Sequence, residues 1–188
     1  MGALRRRFGL GFAVTALVVC GCVSTTDVQV PECVYSNSSF QAVVTVVVGE
    51  EGGQTWGGLG VLVPVGWSAF GASYSGPYGP GNMSPDSSVV WPIENDYPSS
   101  PWEHWLGFSS DELVQGEPGD TYSVTVTIYT DDIVGSVEIA FLGAAYSDEE
   151  PEPSRGTYYW DGDPFHVTVE VEELGLSQRT WGAIKACL

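Results

Sequence analysis

The chain has 188 residues, a length that suits one domain with a core large enough to need no structural metal. It carries 24 acidic and 6 basic side chains, a formal net charge of −18, and 43% of its residues are hydrophobic. That charge excludes nucleic acid as a partner, because phosphate binding needs clustered Lys and Arg. The hydrophobic content excludes a disordered acidic protein, which has too little apolar surface to collapse.

The N-terminal segment has the layout of a secretory signal. Three arginines at positions 5–7 precede an apolar run over residues 8–19, which is too short to span a bilayer but suits the apolar region of a signal. The run ends before Cys20-Gly21-Cys22, and a small residue directly before a cysteine resembles the lipobox of bacterial lipoproteins. Cys22 fits that pattern better than Cys20, which follows a bulky valine.

The resemblance implies a membrane anchor. In lipoproteins the signal, here residues 1–21, is removed, the cysteine sulfur is diacylated and the new N-terminus takes a further chain such as palmitate. The chain would then be held in the cell envelope by lipid at Cys22. The outer membrane is favoured, because Val23 and Ser24 lack the Asp that retains many enteric lipoproteins at the inner membrane. The alternative is an ordinary cleaved signal followed by a chance cysteine.

After the cysteine, residues 22–35 are polar and aperiodic and predict a tether, while residues 36–188 predict a single β domain. Five segments alternate apolar and polar residues with a period of two, which is typical of strands with one buried face. Their inward sets are Phe40, Ala42, Val44, Val46 and Val48; Leu59, Val61, Val63, Val65 and Trp67; Tyr122, Val124, Val126 and Ile128; Val137, Ile139 and Phe141; and Phe165, Val167, Val169 and Val171.

These segments are separated by turns rich in Gly, Pro and acidic residues, and Val89-Val90-Trp91 adds a short strand in this interpretation. No stretch shows a helical period with caps. The pattern therefore predicts an all-β fold, an antiparallel immunoglobulin-like β-sandwich of roughly seven to nine strands.

Three short motifs carry a second resemblance. Residues 63–67 at the end of one strand, residues 119–122 at the start of another and the strand led by Gly135 are similar to accessory immunoglobulin-like domains of secreted bacterial proteins. The resemblance covers about residues 36–186. It implies a domain without chemistry of its own, of the kind found beside glycosidases, proteases or surface anchors.

The segment over residues 71–108 is rich in aromatic residues and prolines and predicts an irregular loop with a function. Stiff prolines can hold flat rings outward, where they stack on sugars or dock on a protein. The candidate ligand-binding residues are Trp91, Tyr97, Trp102 and Trp105. The alternative is that these rings cover the edge of the sandwich and belong to its core.

Two cysteines remain once Cys20 leaves with the signal and Cys22 carries lipid. Cys33 and Cys187 lie near the two ends of the mature chain, in an oxidising compartment. They predict a disulfide that joins the ends of the domain. The alternative is two free, buried thiols.

Acidic clusters between the predicted strands are candidate calcium ligands, and Asp161 with Asp163 is the best pair. Their spacing does not match an EF-hand loop, and an acidic surface produces such runs without any ion. The sequence has no HExxH motif and no CxxC in the mature part, so zinc is not expected. No cofactor other than calcium is indicated.

These observations favour a non-catalytic, envelope-anchored lipoprotein that acts as a binding or structural immunoglobulin-like module. One alternative is a carbohydrate-binding module that uses exposed Trp and Tyr of residues 71–108. The other is a small hydrolase that uses paired carboxylates. The expected partners are the membrane, through the lipid, and a polysaccharide or an envelope protein.

Overall fold

The computed structural model describes residues 23–50, 52–146 and 158–173. The strands in these ranges are β1 (Val23–Gln29), β2 (Cys33–Tyr35), β3 (Ser39–Val48), β4 (Gly53–Pro64), β5 (Ser68–Gly76), β6 (Gly79–Pro85), β7 (Glu103–Ser110), β8 (Val114–Gly116), β9 (Thr121–Tyr129), β10 (Gly135–Tyr146), β11 (Tyr158–Tyr159) and β12 (Phe165–Glu172), and the helix is α1 (Ser87–Asp96). None of the helical structure described has the length and apolarity that a membrane crossing requires.

Hydrogen bonding links the strands in the order β1-β3-β9-β5-β6-β7-β4-β10-β12-β2, with β8 added to β4 and β11 added to β10. Neighbouring strands are antiparallel, except that β12 and β2 run parallel. Apolar residues of β3 and β9 share one core with those of β4, β10 and β12, so the two halves of this order face each other as two layers. The predicted antiparallel immunoglobulin-like β-sandwich is confirmed, and it has more strands than expected.

The alternating pattern identifies the faces of the strands correctly. All the inward residues predicted for β3, β9 and β10 are buried, whereas Thr125 and Thr127 between them are only partly covered. Phe165 and Val167 of β12 are only partly buried, although they pack against the core. Val65 is exposed, since β4 ends at Pro64 and Val65 lies in the turn that follows. Gly66 in that turn has a φ of +102°, which a side chain would strain.

The prediction of a tether over residues 22–35 is wrong for the part that the structure describes. Val23–Gln29 is strand β1, which pairs antiparallel with β3 from Val23↔Val48 to Gln29↔Val43. An edge strand buries few side chains, here Val23 and Val28, so its sequence shows no clear alternation. A side-chain hydrogen bond also links β1 to β10, because Thr25 Oγ1 accepts from the Gly143 N–H at 2.7 Å.

The prediction of an irregular loop over residues 71–108 is also wrong. Strands β5, β6 and β7 and helix α1 account for most of this segment, and Val89-Val90-Trp91 is helical rather than extended. The helix has only 10 residues and contains Pro92. Because a proline inside a helix removes one backbone hydrogen bond, the sequence carries no clear helical signal here.

Helix α1 is held at its start by a capping carboxylate. Asp86 Oδ1 accepts a hydrogen bond from the Ser88 N–H at 2.8 Å, while the Tyr158 hydroxyl lies 3.4 Å from Asp86 Oδ2 and 3.2 Å from Ser88 Oγ. Desolvation opposes ionisation of Asp86, but hydrogen bonds from Ser88, Ser109 and Tyr158 outweigh it and lower the pKa of the carboxyl. Burial, together with the Asp86 charge, raises the pKa of Tyr158 to about 12.

A second core lies between α1 and the outer face of the layer that contains β7, β4 and β10. Its buried members are Val89, Ile93, Trp105, Ala140, Leu142, Ala144 and Tyr158. The helix approaches closely because β7 has Gly107 beneath it, where a Cβ would overlap the carbonyl oxygen of Asp86 and touch Val89. This second core positions the candidate functional site.

Candidate functional site

An open groove runs between the C-terminal end of α1 and the start of β12. It has a volume of about 540 Å³ and is lined by Leu62, Asp96, Tyr97, Pro98, Trp105, Asp163, Pro164 and His166. Two carboxylates, a histidine and aromatic surface therefore meet in one place. Two of the predicted ligand-binding aromatics, Tyr97 and Trp105, and one of the predicted calcium ligands, Asp163, are among these residues.

Tyr97 lies at the centre of the groove and is held from three sides. Its N–H donates to the Ile93 carbonyl at 2.7 Å, which ends α1. Its single hydroxyl proton is shared between the Gly162 carbonyl oxygen at 3.2 Å and Asp163 Oδ1 at 3.4 Å. Its ring lies against Trp160, with 6.4 Å between ring centroids. Burial and the Asp163 charge raise the pKa of the Tyr97 hydroxyl, so this group is a neutral donor near neutral pH.

Trp105 is a wall of the groove and not an exposed platform. Only 5% of its surface is exposed, and its indole N–H donates to the Tyr97 carbonyl oxygen at 2.9 Å. The interpretation of Trp105 as a ring held outward for stacking is therefore wrong, and the alternative of a core ring is correct. Its position in β7, opposite Leu62 of β4, turns the side chain into the second core.

Trp91 and Trp102 are exposed, at 77% and 79%, and neither lines the groove. Trp91 lies on α1, whose buried residues are Val89 and Ile93. Trp102 lies just before β7, and its carbonyl oxygen accepts a hydrogen bond from the Val65 N–H at 2.8 Å. The four predicted aromatics thus do not form one surface.

Asp161 and Asp163 are exposed residues of the turn before β12. Asp163 accepts from Tyr97, whereas the backbone N–H of Asp161 donates to the Val23 carbonyl at 2.8 Å. Within the described ranges, no three residues of the types His, Cys, Asp or Glu are grouped so that they could hold a metal ion. Calcium binding by this pair stays a prediction.

Charge is distributed very unevenly over this structure. The six Lys and Arg residues, at positions 5–7, 155, 179 and 185, all fall outside the described ranges, whereas 19 of the 24 acidic residues fall within them. The one ion pair in the described part of the chain joins His166, when it is protonated, to Glu138, with 2.6 Å between Nδ1 and Oε1. The surface and the groove are therefore strongly negative.

Cys33 is the only cysteine in the part of the chain that the structure describes, and it is exposed in β2. Desolvation and the carboxylates of Glu172 and Glu170 raise the pKa of its thiol. Cys22 and Cys187 lie outside the described residues, so lipidation and the disulfide stay predictions.

The sequence interpretation missed Asp96 and His166 as members of the groove. His166 is brought there by register, because Ala140 of β10 pairs with both His166 of β12 and Leu62 of β4. Trp160 does not line the groove but packs against Tyr97, which lies 63 positions earlier in the chain. No local pattern carries this information.

No protein-family model matches the chain, and no curated protein matches it significantly. Among solved structures, it is similar to the cohesin module of a family 33 glycoside hydrolase from Clostridium perfringens (12% identity, 82% of this chain and 98% of that chain, TM-score 0.44). It is also similar to AvmM, which catalyses macrocyclization in alchivemycin A biosynthesis (9% identity, 84% of this chain and 91% of that chain, TM-score 0.48). A third similar structure is the collagen-binding domain of a Staphylococcus aureus adhesin (10% identity, 76% of this chain and 95% of that chain, TM-score 0.38). With TM-scores below 0.5, none of these similarities bears on what this chain binds.

Proposed function

We propose that the protein is a non-catalytic binding module of the bacterial cell envelope, anchored by lipid at Cys22, and that the groove beside α1 binds a saccharide. The observation that carries this proposal is the ring of Tyr97, with the Trp105 wall behind it, beside the carboxylates Asp96 and Asp163 in one open groove. Sugars offer an apolar C–H face to aromatic rings and hydroxyl donors to carboxylates.

The charge of the groove narrows the class of saccharide. Asp96 and Asp163 face the ligand, and the described part of the chain has no Lys or Arg to balance them. An anionic sugar would be repelled by these two carboxylates. We therefore expect a neutral sugar or one that carries an amine.

The proposed lipid at Cys22 is compatible with the position of β1. Because β1 begins at Val23, a lipid at Cys22 leaves no free linker before the fold and holds the Val23 end of the sandwich close to the membrane. A negative surface does not favour contact with anionic headgroups, so more than one acyl chain is needed for stable attachment. The outer membrane remains the favoured location.

Lipidation is tested by labelling cells with a fatty-acid analogue. Cys22→Ala should abolish the label, and Cys20→Ala should keep it. Equal labelling of both variants contradicts the assignment to Cys22.

Saccharide binding is tested by calorimetry on the mature chain with Cys22→Ser, using cello-oligosaccharides, chitosan oligosaccharides and oligogalacturonate. At least one of the first two should bind, and oligogalacturonate should not. Asp163→Asn and Tyr97→Phe remove contacts of the groove without removing a core ring, and each should weaken binding about tenfold, as expected for loss of about 1.4 kcal/mol. Trp91→Ala, outside the groove, is the matched control and should bind as the wild type does.

The same samples test the hydrolase alternative, because Asp96 and Asp163 line one groove as paired carboxylates do in glycosidases. Release of reducing ends that is lost in both Asp96→Asn and Asp163→Asn would show an enzyme. Binding of oligogalacturonate, or equal binding by Trp91→Ala and Asp163→Asn, would contradict the proposed site.

A further inference from the structure

A cavity lies between the two layers of the sandwich, at the end of the fold where β9 begins and β10 ends. It has a volume of about 60 Å³ and is partly open to solvent, and we call it the interlayer cavity. Its mostly apolar lining comes from both layers and includes Val46 of β3, Tyr122 of β9 and Ala145 of β10. It shares no lining residue with the groove beside α1.

Small residues leave this space unfilled. Six residues of the lining are Gly or Ala: Gly53, Gly57, Gly58, Gly116, Ala144 and Ala145. A Cβ at Gly53 would meet no heavy atom within 4 Å, and one at Gly57 would meet Val114 Cγ2 at 3.6 Å, which is an ordinary contact. A single water needs about 10–15 Å³, so the interlayer cavity has room for roughly four groups of that size. Unfilled apolar space costs stability, so a small apolar guest would be stabilised there.

Two tyrosine rings form the aromatic part of the wall. Tyr74 and Tyr122 both line the interlayer cavity and meet edge to face, with 6.1 Å between their ring centroids. Strand β5 lies directly on the Tyr122 ring, because a Cβ at Gly76 would overlap it, and the Tyr122 hydroxyl donates to the Gln115 carbonyl oxygen. These contacts hold the ring in place. Tyrosine rings attract cations, because the face of an aromatic ring carries partial negative charge.

Carboxylates lie beside these rings. Asp120 is two residues before Tyr122, and its Oδ2 accepts a hydrogen bond from the Glu117 N–H at 2.8 Å, so both acids belong to the turn before β9. Glu117 directly follows Gly116, which lines the interlayer cavity. The described ranges contain no Lys or Arg that could balance these charges. A cationic ligand would therefore be attracted to this end of the fold.

The tyrosines themselves carry no charge near neutral pH. Burial raises the pKa of the Tyr122 hydroxyl, and the Asp120 charge raises it further. Burial likewise raises the pKa of Tyr74, with further contributions from the carboxylates of Glu112 and Asp111. Both hydroxyls therefore stay protonated, and the negative potential at the interlayer cavity comes from the carboxylates.

We propose that the interlayer cavity binds a small primary alkylammonium ion, with its alkyl chain between the layers and its ammonium group beside Tyr74, Tyr122 and the Asp120 carboxylate. Burial of the chain drives binding, and the rings and the carboxylate select for positive charge. Room for roughly four water-sized groups limits the chain to about four carbons. An alkyl carboxylate of the same length would bring a second negative charge to Asp120 and should be excluded. This site is separate from the saccharide groove, and each proposal can fail without the other.

NMR titration of the ¹⁵N-labelled mature chain with Cys22→Ser tests the proposal, using ethylammonium, butylammonium and hexylammonium chloride at constant ionic strength. Butylammonium should bind about tenfold more tightly than ethylammonium, because each buried methylene contributes about fourfold. Hexylammonium should gain less than about threefold more, because the two added methylenes would lie outside a full cavity and gain little from burial. The amide signals of Gly53, Gly116 and Ala145 should shift. 1-Butanol should bind about fivefold more weakly than butylammonium, and butyrate should not bind.

A filling substitution locates the chain. Gly57 pairs with Ala145, so a side chain at Gly57 points toward the same core-facing side, and Gly57→Val should abolish binding of butylammonium. Gly71→Val is the matched control, because a Cβ at Gly71 meets nothing within 4 Å and Gly71 does not line the interlayer cavity. It should bind as the unmodified chain does.

A charge substitution locates the ammonium group. Asp120→Asn keeps an acceptor for the Glu117 N–H but removes the charge, so it should weaken butylammonium about fivefold and leave 1-butanol unchanged. Asp132→Asn, in the loop at the opposite end of β9, is the control and should change neither ligand. Equal affinity for butylammonium and 1-butanol would overturn the proposal. Binding that survives Gly57→Val, or amide shifts confined to the groove and lost in Asp163→Asn, would also overturn it.

Discussion

The indole N–H of Trp105 donates a hydrogen bond of 2.9 Å to the carbonyl oxygen of Tyr97, which joins a buried ring of β7 to the central ring of the groove. Through this bond the second core sets the position of Tyr97. The groove is therefore built on packed elements and not on a loose loop.

Trp105→Ala should destabilise the fold by about 3–5 kcal/mol, because it empties a packed site and removes the partner of the Tyr97 carbonyl. Trp91→Ala is the matched control on α1 and should change the free energy of unfolding by less than about 0.5 kcal/mol. Urea denaturation of both variants measures the difference. Similar stabilities would contradict the assignment of Trp105 to the core.

Gly107→Ala should destabilise the protein by roughly 1–3 kcal/mol, because its Cβ would push α1 away from β7. Gly71→Ala is the control, since a Cβ there meets nothing within 4 Å. Thermal unfolding should show a lower Tm for Gly107→Ala and nearly the wild-type Tm for Gly71→Ala. An unchanged Tm for Gly107→Ala would contradict the close packing of α1 against β7.

Asp86→Ala should cost about 1 kcal/mol at pH 7, as expected for loss of a helix N-cap. The folded-state pKa of Asp86 is lowered, so its stabilisation is present above the unfolded pKa of about 3.9 and is lost as the pH falls through the lower folded value. The difference in unfolding free energy between wild type and variant should therefore shrink between pH 5 and pH 2. The side chain of Asp111 caps no helix, so Asp111→Ala is the control. A difference that grows on acidification would refute the assigned role.

Salt should stabilise the protein, because its carboxylates repel one another without Lys or Arg between them in the described part. Raising sodium chloride from 10 mM to 1 M shortens the screening length from about 30 Å to about 3 Å, and we expect Tm to rise by several degrees. Choline chloride should give the same rise. An increase produced by 1 mM calcium but not by 1 mM magnesium would instead indicate a specific site at Asp161 and Asp163.

A thiol assay on the denatured, unreduced mature chain should find no free cysteine, because Cys33 and Cys187 are expected to be paired and Cys22 to be acylated. Cys33→Ser is the control and should release one titratable thiol, from Cys187. Two thiols in the wild-type protein would show that the disulfide is absent.

The central strands were predictable because their side chains repeat with the period of the sheet. Val44 and Val126 alternate with less buried neighbours, so their faces could be read directly. Strand β1 was missed because an edge strand buries little, and α1 was missed because Pro92 interrupts a short helix. In both cases tertiary packing outweighs local propensity.

The groove was only partly predictable. Tyr97 and Asp163 were each singled out for their chemistry, but they are 66 positions apart and only the fold brings them together. Trp102 and Trp105 look equivalent in the sequence, yet one lies before β7 and the other within it, and this decides which ring is buried.

The missing basic residues have a consequence for proteolysis. The sequence has no Lys or Arg between Arg7 and Arg155, so trypsin, which cuts after those residues, finds no bond to cleave across β1–β10. That stretch would stay intact even in the unfolded chain. Resistance to trypsin therefore cannot report its stability, and tryptic peptide mapping would return it as one very large fragment. The same composition protects most of the sandwich from trypsin-like proteases before folding adds anything.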